Sequence, residues 1–181
     1  MSTIVSERPA IAIAGVGESG CLKEDSRSIP EMVLCAVEEA LDDAGVGYDA
    51  INGIVTSSVD LFDGLTASNI AVTEVVGAVM RPESRIAADG LAALLHASCQ
   101  IWAGAYETVL VVAHGKASMS PHDPLTSWAM DPVYLQPLDL NFLICSALQA
   151  ESLKAADPDA ESRWARCAAE RRTQAATHGI A

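Results

Sequence analysis

The chain is poor in basic side chains. Its 181 residues include 11 Lys and Arg against 24 Asp and Glu, which gives a formal net charge of −13. No Lys or Arg occurs between Ser28 and Met80. Nucleic acids and anionic membrane surfaces attract proteins through basic patches, so this composition argues against both as partners. An anionic ligand must be held by other segments or by a partner chain.

Closely spaced cysteines and long apolar runs are also absent from the sequence. The five cysteines form no C-x-x-C pair, which argues against zinc ribbons and redox motifs, and we predict no metal site. No segment reaches the roughly 20 apolar residues of a membrane span, and the first apolar run, Pro9 to Gly17, is short. We therefore expect a cytoplasmic chain without a signal peptide. Its cysteines in helical contexts are predicted to be buried, reduced thiols: Cys35, Cys99, Cys145 and Cys167.

What the sequence does contain is an alternation of apolar runs and amphipathic segments. Half of the residues are hydrophobic, enough for one domain with a core at 9–120 and a loop and helical excursion at 121–181. The alternation predicts an α/β fold, a mixed, mostly parallel sheet with helices on both faces. The predicted strands are Ala10–Gly15, Ile51–Ser57, Arg85–Ala88 and Thr108–Ala113, and the predicted helices begin at Ser28, Ala67 and Gly90.

The helices that begin at Ser28 and Gly90 carry different signals. Ser28 and Glu31 form a capping box, and Gly45 marks the end of the first of these helices. The other helix is predicted to begin with Asp89 as its N-cap, which makes that carboxylate a poor proton acceptor near neutral pH. It is apolar on nearly every side, so it should lie in the middle of a domain or assembly. Its few polar residues are His96, Ser98 and Gln100.

The alternation ends after Ser120. The segment from Pro121 to Pro137 holds four of the eight prolines and is predicted to be a long excursion without regular structure, functional or partner-facing. Helices are predicted at 138–155 and after Asp157. The arginines of the last helix are expected to form pairs such as Asp159 with Arg163 and Arg166 with Glu170, with phosphate binding as the alternative: Arg163, Arg166, Arg171 and Arg172.

A literal G-x-G-x-x-G occurs at 15–20, directly after the first predicted strand. In a dinucleotide-binding fold the following residues enter a helix at once, so that its N-terminus faces the pyrophosphate. Here the predicted helix begins only at Ser28, and Glu18 would place a carboxylate among the phosphates. We interpret the motif as a β-to-α turn, with an NAD-binding Rossmann protein as the alternative. Micromolar binding of NAD or NADP in calorimetry would favour the alternative.

A strand, a helix opened by Asp-Gly, a second strand and a Gly-Lys-Ala-Ser-Met-Ser turn follow one another between Arg85 and Ser120. This order resembles the thiolase superfamily, most closely the lipid-transfer-type thiolases, in which a Cys-x-Ser-Gly motif joins a strand to a buried helix. Here Gly90 matches the motif glycine, Asp89 the serine and Ala87 the nucleophilic cysteine. The resemblance extends to an Ile-x-Gly-x-Gly run, a Glu-Ala-Leu-Asp-Asp-Ala-Gly-Val helix and an Ile-Asn-Gly-Ile-Val strand, at 13–17, 39–46 and 51–55.

The resemblance implies half of a thiolase-like scaffold without its nucleophile. The methyl group of Ala87 cannot form a thioester, and Cys99 lies about 15 Å further along the helix. Family members contain two such halves, and the second supplies a Gly-His-Pro and a Cys-x-Gly motif; neither triplet occurs here. We therefore expect a partner chain that supplies the other half, in a hetero-oligomer with twofold symmetry. The strand before the vacated position, Arg85 to Ala88, is the expected contact strand.

The implied chemistry is cleavage or formation of a carbon–carbon bond next to an acyl-CoA thioester, with no covalently bound cofactor. A Claisen mechanism would need the partner's nucleophile, whereas a retro-aldol cleavage, as in steroid side-chain degradation, would not. Asp89 and His114 are the candidates for proton transfer, although His114 is expected to be a solvated turn residue. Trp128 and Tyr134 would line an acyl tunnel or cover an interface. The alternative is a structural pseudoenzyme that touches no substrate.

Overall fold

The computed structural model of the protein describes residues 10–20, 22, 24–63, 67–116, 120 and 122–177. These residues form two compact units, one of the described residues in 10–19 and 24–120 and the other of residues 20, 22 and 122–177. The first unit contains a three-stranded sheet and the helices that cover it. The second unit is helical.

The sheet consists of β1 (Gly53–Ser57), β2 (Glu83–Ile86) and β3 (Val109–Ala113). The strand order is β2-β1-β3, and both pairs are parallel. Parallel neighbours require crossover connections, which here run through helices, as is typical of an α/β protein. The predicted α/β fold class is confirmed, and the three strands are parallel throughout.

Helices cover both faces of this sheet. On one face, α1 (Ile29–Ala44) and a 3₁₀ helix (Ser68–Val72) enclose the main apolar cluster with Ile54, Leu110 and Val112. On the other face, α3 (Gly90–Trp102) packs Ala93 and Ala97 against Val55. Alternate residues of one strand thus belong to different clusters, because successive side chains point to opposite faces.

The start and end of α1 follow the predicted signals. Ser28 Oγ accepts a hydrogen bond from the backbone of Glu31, whose carboxylate accepts one from the backbone N–H of Ser28. Gly45 ends the helix with φ +66°, a left-handed conformation that glycine adopts without strain. The buried residues of α1 recur at helical spacing and form its core face: Ile29, Val33, Val37 and Leu41.

Two predicted elements of the first unit are wrong. Residues 10–20 contain no strand, and the backbone N–H groups of Val16 and Glu18, just after the predicted strand, donate to carboxylates of α1. The helix predicted over 67–79 is only the 3₁₀ helix followed by turns. Its β-branched residues disfavour a longer helix, and Gly77 turns the chain with φ +74°. A short helix, α2 (Asp60–Asp63), follows β1.

The second unit contains α4 (His122–Trp128), α5 (Phe142–Ala156) and α6 (Ala160–Ala175). The excursion predicted as irregular therefore begins with a helix and continues through turns and a 3₁₀ helix, Gln136–Leu138. Lys154 Nζ lies 3.3 Å from Glu151 and 3.2 Å from Glu161, so it links α5 to α6 and its pKa is raised by both carboxylates.

The last helix forms a different ion pair from the expected one. Arg163 pairs with Asp157 rather than with Asp159, and this contact lowers the pKa of Asp157. Asp157 also accepts a hydrogen bond at 3.0 Å from the backbone N–H of Asp159. No hydrogen bond from the side chain of Asp159 caps the helix.

The prediction of buried cysteines is wrong for all four thiols. Cys35, Cys99 and Cys167 are exposed and Cys145 is intermediate; all four are free. Cys35 lies on the opposite side of α1 from Val33 and Val37, and α6 buries only Ala160. Their helices are amphipathic or loosely packed, so an apolar context in the sequence did not translate into burial.

Candidate functional site

The carboxyl ends of the three parallel strands meet at one edge of the sheet, the position where α/β proteins usually bind ligands. β1 ends at Ser57, β2 at Ile86 and β3 at Ala113. The backbone N–H of His114 donates to the carbonyl of Ser57 at 3.0 Å, and the N–H of Ser58 donates to that of Ile86 at 3.4 Å. We call the residues around these ends the strand-end site.

Ala87 lies close to the N-terminus of α3 in this site. It is exposed and directly follows β2, two residues before the N-cap of α3. Ser57 Oγ donates to the carbonyl oxygens of Ala88 and, at 3.0 Å, of Asp89, which fixes the turn between strand and helix. The position that the resemblance assigns to the nucleophile therefore carries a methyl group at the surface of the strand-end site.

Asp89 serves as the predicted cap. Its Oδ1 accepts a hydrogen bond from the backbone N–H of Ala92 at 2.9 Å, which satisfies one of the free donors at the start of α3. The next residue must be small, because a Cβ at Gly90 would lie 2.9 Å from the Cβ of Ala113. Asp89 thus holds the helix start, and Gly90 allows α3 to approach β3.

The guanidinium of Arg85 contacts side chains of the same chain. It forms an ion pair with Asp60 of α2 and donates from Nη2 to Ser58 Oγ at 2.9 Å. The two charged side chains are 24% and 29% exposed, so the pair is partly shielded from solvent. Of the predicted contact strand, Arg85 and Ile86 belong to β2, Ala87 is exposed and Ala88 is intermediate. Any neighbour at this strand would meet the main chain rather than a free guanidinium.

His114 is buried beside Asp63, which corrects the expectation of a solvated turn histidine. The side chains are 4% and 1% exposed, and Nδ1 of the imidazole lies 3.7 Å from Oδ2 of the carboxylate. Oδ1 of Asp63 accepts a hydrogen bond from the backbone N–H of Lys116 at 2.9 Å. Within the described part of the chain, the two ring nitrogens of His114 have no hydrogen-bond partner, and Oδ2 of Asp63 has none either.

Burial controls the protonation of His114. Loss of solvent lowers the pKa of the imidazole, while Asp63 and Asp60 raise it and Arg85 lowers it further. The net effect is a lowered pKa, so His114 is neutral at neutral pH. A neutral imidazole beside a carboxylate has the elements of a proton-accepting pair, but both nitrogens are enclosed, so a substrate could reach them only if the site opened.

The other predicted residues lie on α3 and in the second unit. Trp128 and Tyr134 belong to the second unit and are 65% and 78% exposed, so neither lines an enclosed tunnel within that unit. His96 lies 3.1 Å from Gln100 Nε2 on α3. Beyond the expected residues, the structure adds Ser57, Asp60 and Asp63 to the site. The signal for Asp60 and Asp63 in the sequence is a pair of acidic residues three positions apart, shortly after a predicted strand.

The G-x-G-x-x-G segment lies against acidic side chains. The backbone N–H of Val16 donates to Asp43 at 2.9 Å and that of Glu18 to Glu39 at 2.7 Å. These are donors that a dinucleotide phosphate would require, and the adjacent carboxylates would repel it. The helix after the motif begins only at Ile29. This geometry favours the interpretation of the motif as a turn.

No protein-family model matches the chain, and no curated protein sequence matches it significantly. In the ranges that the structure describes, no helix is both long and apolar enough to cross a membrane. Among the same residues, no three or more His, Cys, Asp or Glu side chains are grouped so that they could hold a metal ion. The strand-end site is therefore the feature from which a function can be inferred.

Proposed function

We propose that this chain is a nucleophile-lacking, half-thiolase-like subunit of a hetero-oligomeric enzyme that processes carbon–carbon bonds of acyl-CoA thioesters. The observation that carries the proposal is the position of Ala87, exposed at the carboxyl end of β2 and directly before the capped N-terminus of α3. There the resemblance places a cysteine. The proposed partner supplies the other half of the scaffold, in a cytoplasmic setting that keeps thiols reduced.

A retro-aldol cleavage fits a site without a nucleophile. The β-hydroxyl of a hydroxyacyl thioester loses its proton to a base, and the bond between the α- and β-carbons breaks as the new carbonyl forms. The electron pair moves to the thioester enolate, which then takes a proton at the α-carbon. Ala87 leaves room for the substrate beside the positive end of α3, which favours developing negative charge. The base and the groups that bind the coenzyme A phosphates come from the partner.

Two surfaces of the first unit support the requirement for a partner. On α3, Leu91 and Leu95 are 75% and 62% exposed, although the sequence predicts a helix without a solvent face. At β2, the carbonyls of Pro82 and Ile86 point to β1, so by alternation the main chain of Glu83 and Arg85 points to the outer edge. Among described residues no strand pairs with that edge. It is where the proposed twofold contact would form.

The test is purification of the tagged chain with its natural partner, followed by assay of chain and complex. We expect a partner with a Gly-His-Pro motif, turnover of β-hydroxyacyl-CoA or acetoacetyl-CoA by the complex, and none by the isolated chain. Turnover of acetoacetyl-CoA by the isolated chain would contradict the proposal. A stable complex without activity on either thioester class would contradict its enzymatic part.

A structural pseudoenzyme is the second candidate, and a specific observation favours it. The charged groups of the strand-end site face one another: Arg85 pairs with Asp60, and His114 is enclosed beside Asp63. The chain would then stabilise a catalytic partner without touching substrate. A photoreactive acyl-CoA added to the complex separates the two functions, because labelling at Ala87 or Ala88 requires substrate contact, whereas labelling confined to the partner favours the pseudoenzyme.

A further inference from the structure

The outer edge of β3 is open. The carbonyl of Thr108 accepts hydrogen bonds from the backbone of Asn52 and Gly53, and the N–H of His114 donates to Ser57. Main-chain groups alternate in direction along a strand, so the even-numbered residues of β3 face β1. The main chain of Val109, Val111 and Ala113 therefore points away from the sheet, and no described strand pairs with it.

A cavity of about 610 Å³ runs along this open edge. Its lining comes from β3, from residues 11–17 and from the helices α1 and α3. We call this cavity the strand slot. Its lining from the two helices is mainly small or apolar and includes Ala36, Ala40, Leu94 and Ala97.

Residues 11–17 are held away from β3 by their contacts with α1. The backbone N–H groups of Val16 and Glu18 donate to carboxylates of that helix. Gly15 and Gly17 lie against its main chain, where an added Cβ would be 2.3 Å from the carbonyl oxygen of Ala40 and 2.1 Å from that of Ala36. This anchoring keeps the nearest apolar segment of the chain from closing the slot.

We propose that the strand slot receives one β-strand from the partner chain. The outward N–H and C=O groups of β3, with which no described strand pairs, specify an extended peptide, because an acyl chain could fill the volume but could not form their hydrogen bonds. The apolar walls on both faces require a strand with small or β-branched side chains at every position and no charge.

The slot is continuous with the surface already assigned to the partner. Leu94 lines the slot, while Leu91 and Leu95 on the same helix are exposed. One partner could cover the α3 leucines and insert a strand beside β3. This inference rests on the proposed function for the existence of the partner, but the edge can be tested without it.

The test uses the full chain and a synthetic peptide of alternating valine and alanine flanked by lysines. Amide hydrogen exchange is followed residue by residue. We expect the peptide to slow exchange at Val109 and Val111 about tenfold or more, while Leu110 and Val112 stay protected as before. The control is the same peptide with a central proline, which cannot complete the ladder.

Val111→Pro tests the direction of the main chain. It removes an N–H that points into the slot, so the variant should remain folded but lose the response to the peptide. Val112→Pro, its matched control, removes an N–H of the β1 ladder and should destabilise the sheet. If Val111→Pro does not fold, the peptide measurement on the unaltered chain still decides the question.

Three results would overturn the inference. The peptide could leave exchange at Val109 and Val111 unchanged, or these amides could already be protected in the isolated chain, which would mean that residues 11–17 or a second copy fill the slot. Decanoate could perturb the slot residues while the peptide does not, which would make the cavity a lipid site. A partner that co-purifies while the edge fails to respond would leave the proposed function standing.

Discussion

The helices on the two faces of the sheet bury very different surfaces. α1 buries four large apolar side chains against β1 and β3, whereas α3 buries only Ala93 and Ala97. α3 is the more apolar of the two, yet its Leu91 and Leu95 are exposed, whereas Leu41 of α1 is buried in the core. A helix with this sequence is suited to contacts on several sides. Within the first unit, α1 therefore completes a core, whereas α3 leaves large apolar side chains exposed.

The largest effect is expected from shortening one leucine side chain on each of the two helices and comparing the losses of stability. Leu41→Ala on α1 should lower the free energy of unfolding by about 2–4 kcal/mol, because the residue is buried and leaves a cavity. Leu95→Ala on α3 should change it by about 0.5 kcal/mol or less in the isolated chain, because the leucine is exposed. Urea denaturation followed by circular dichroism measures both. Equal losses would show that α3 is packed within this chain.

Association should respond in the opposite order. Leu91→Asp combined with Leu95→Asp places two charges on the exposed face of α3 and should weaken binding of the purified partner about tenfold or more, with the fold retained. Ile70→Asp, at an exposed residue of the 3₁₀ helix on the α1 face of the sheet, is the control and should leave the affinity unchanged. Titration calorimetry gives the dissociation constants. Unchanged affinity in the double variant would remove α3 from the interface.

The strand ends between these helices should make stability depend on pH. Burial lowers the pKa of His114, so between its folded value and about 6.5 the unfolded chain binds more protons. Stability should therefore fall as pH drops below about 6.5, by at most about 1.4 kcal/mol per pH unit from this group. His114→Gln should flatten that slope in urea titrations from pH 5 to 8. An identical slope in the variant would contradict the enclosed, neutral imidazole.

The N-caps of α1 and α3 should contribute equally to stability, although the two helices bury different surfaces. Ser28→Ala removes the capping box of α1 and Asp89→Ala removes the cap of α3, and each should lower stability by about 1 kcal/mol. Thermal unfolding of the two variants checks this. A loss several times larger for Asp89→Ala would mean that this carboxylate does more than cap its helix.

Local signals in the sequence predicted the helix ends well. The residues around Ser28, Gly45 and Asp89 have direct structural counterparts, because caps depend on neighbouring backbone groups alone. The apolar strands β1 and β3 were predicted for the same reason, from runs of β-branched residues. The α/β class follows from the order of these elements.

Tertiary contacts account for the errors. The apolar run at 10–15 was expected to enter the sheet, but hydrogen bonds to Asp43 and Glu39 hold the residues that follow it on α1, and those carboxylates lie more than twenty residues away. The enclosure of His114 depends on Asp63, fifty-one positions earlier in the sequence. Such pairings cannot be read from spacing, so the sequence predicted Ala87, Asp89 and His114 as site residues but not the enclosure of His114 beside Asp63.

The most direct test of the central claim enlarges the side chain at Ala87 in the assembled complex. If this position borders the reacting thioester, Ala87→Phe should reduce kcat/KM about a hundredfold while partner binding stays intact. Ala103→Phe, exposed at the opposite end of α3, should have full activity. Full activity of Ala87→Phe in an intact complex would place the chemistry elsewhere and contradict the account.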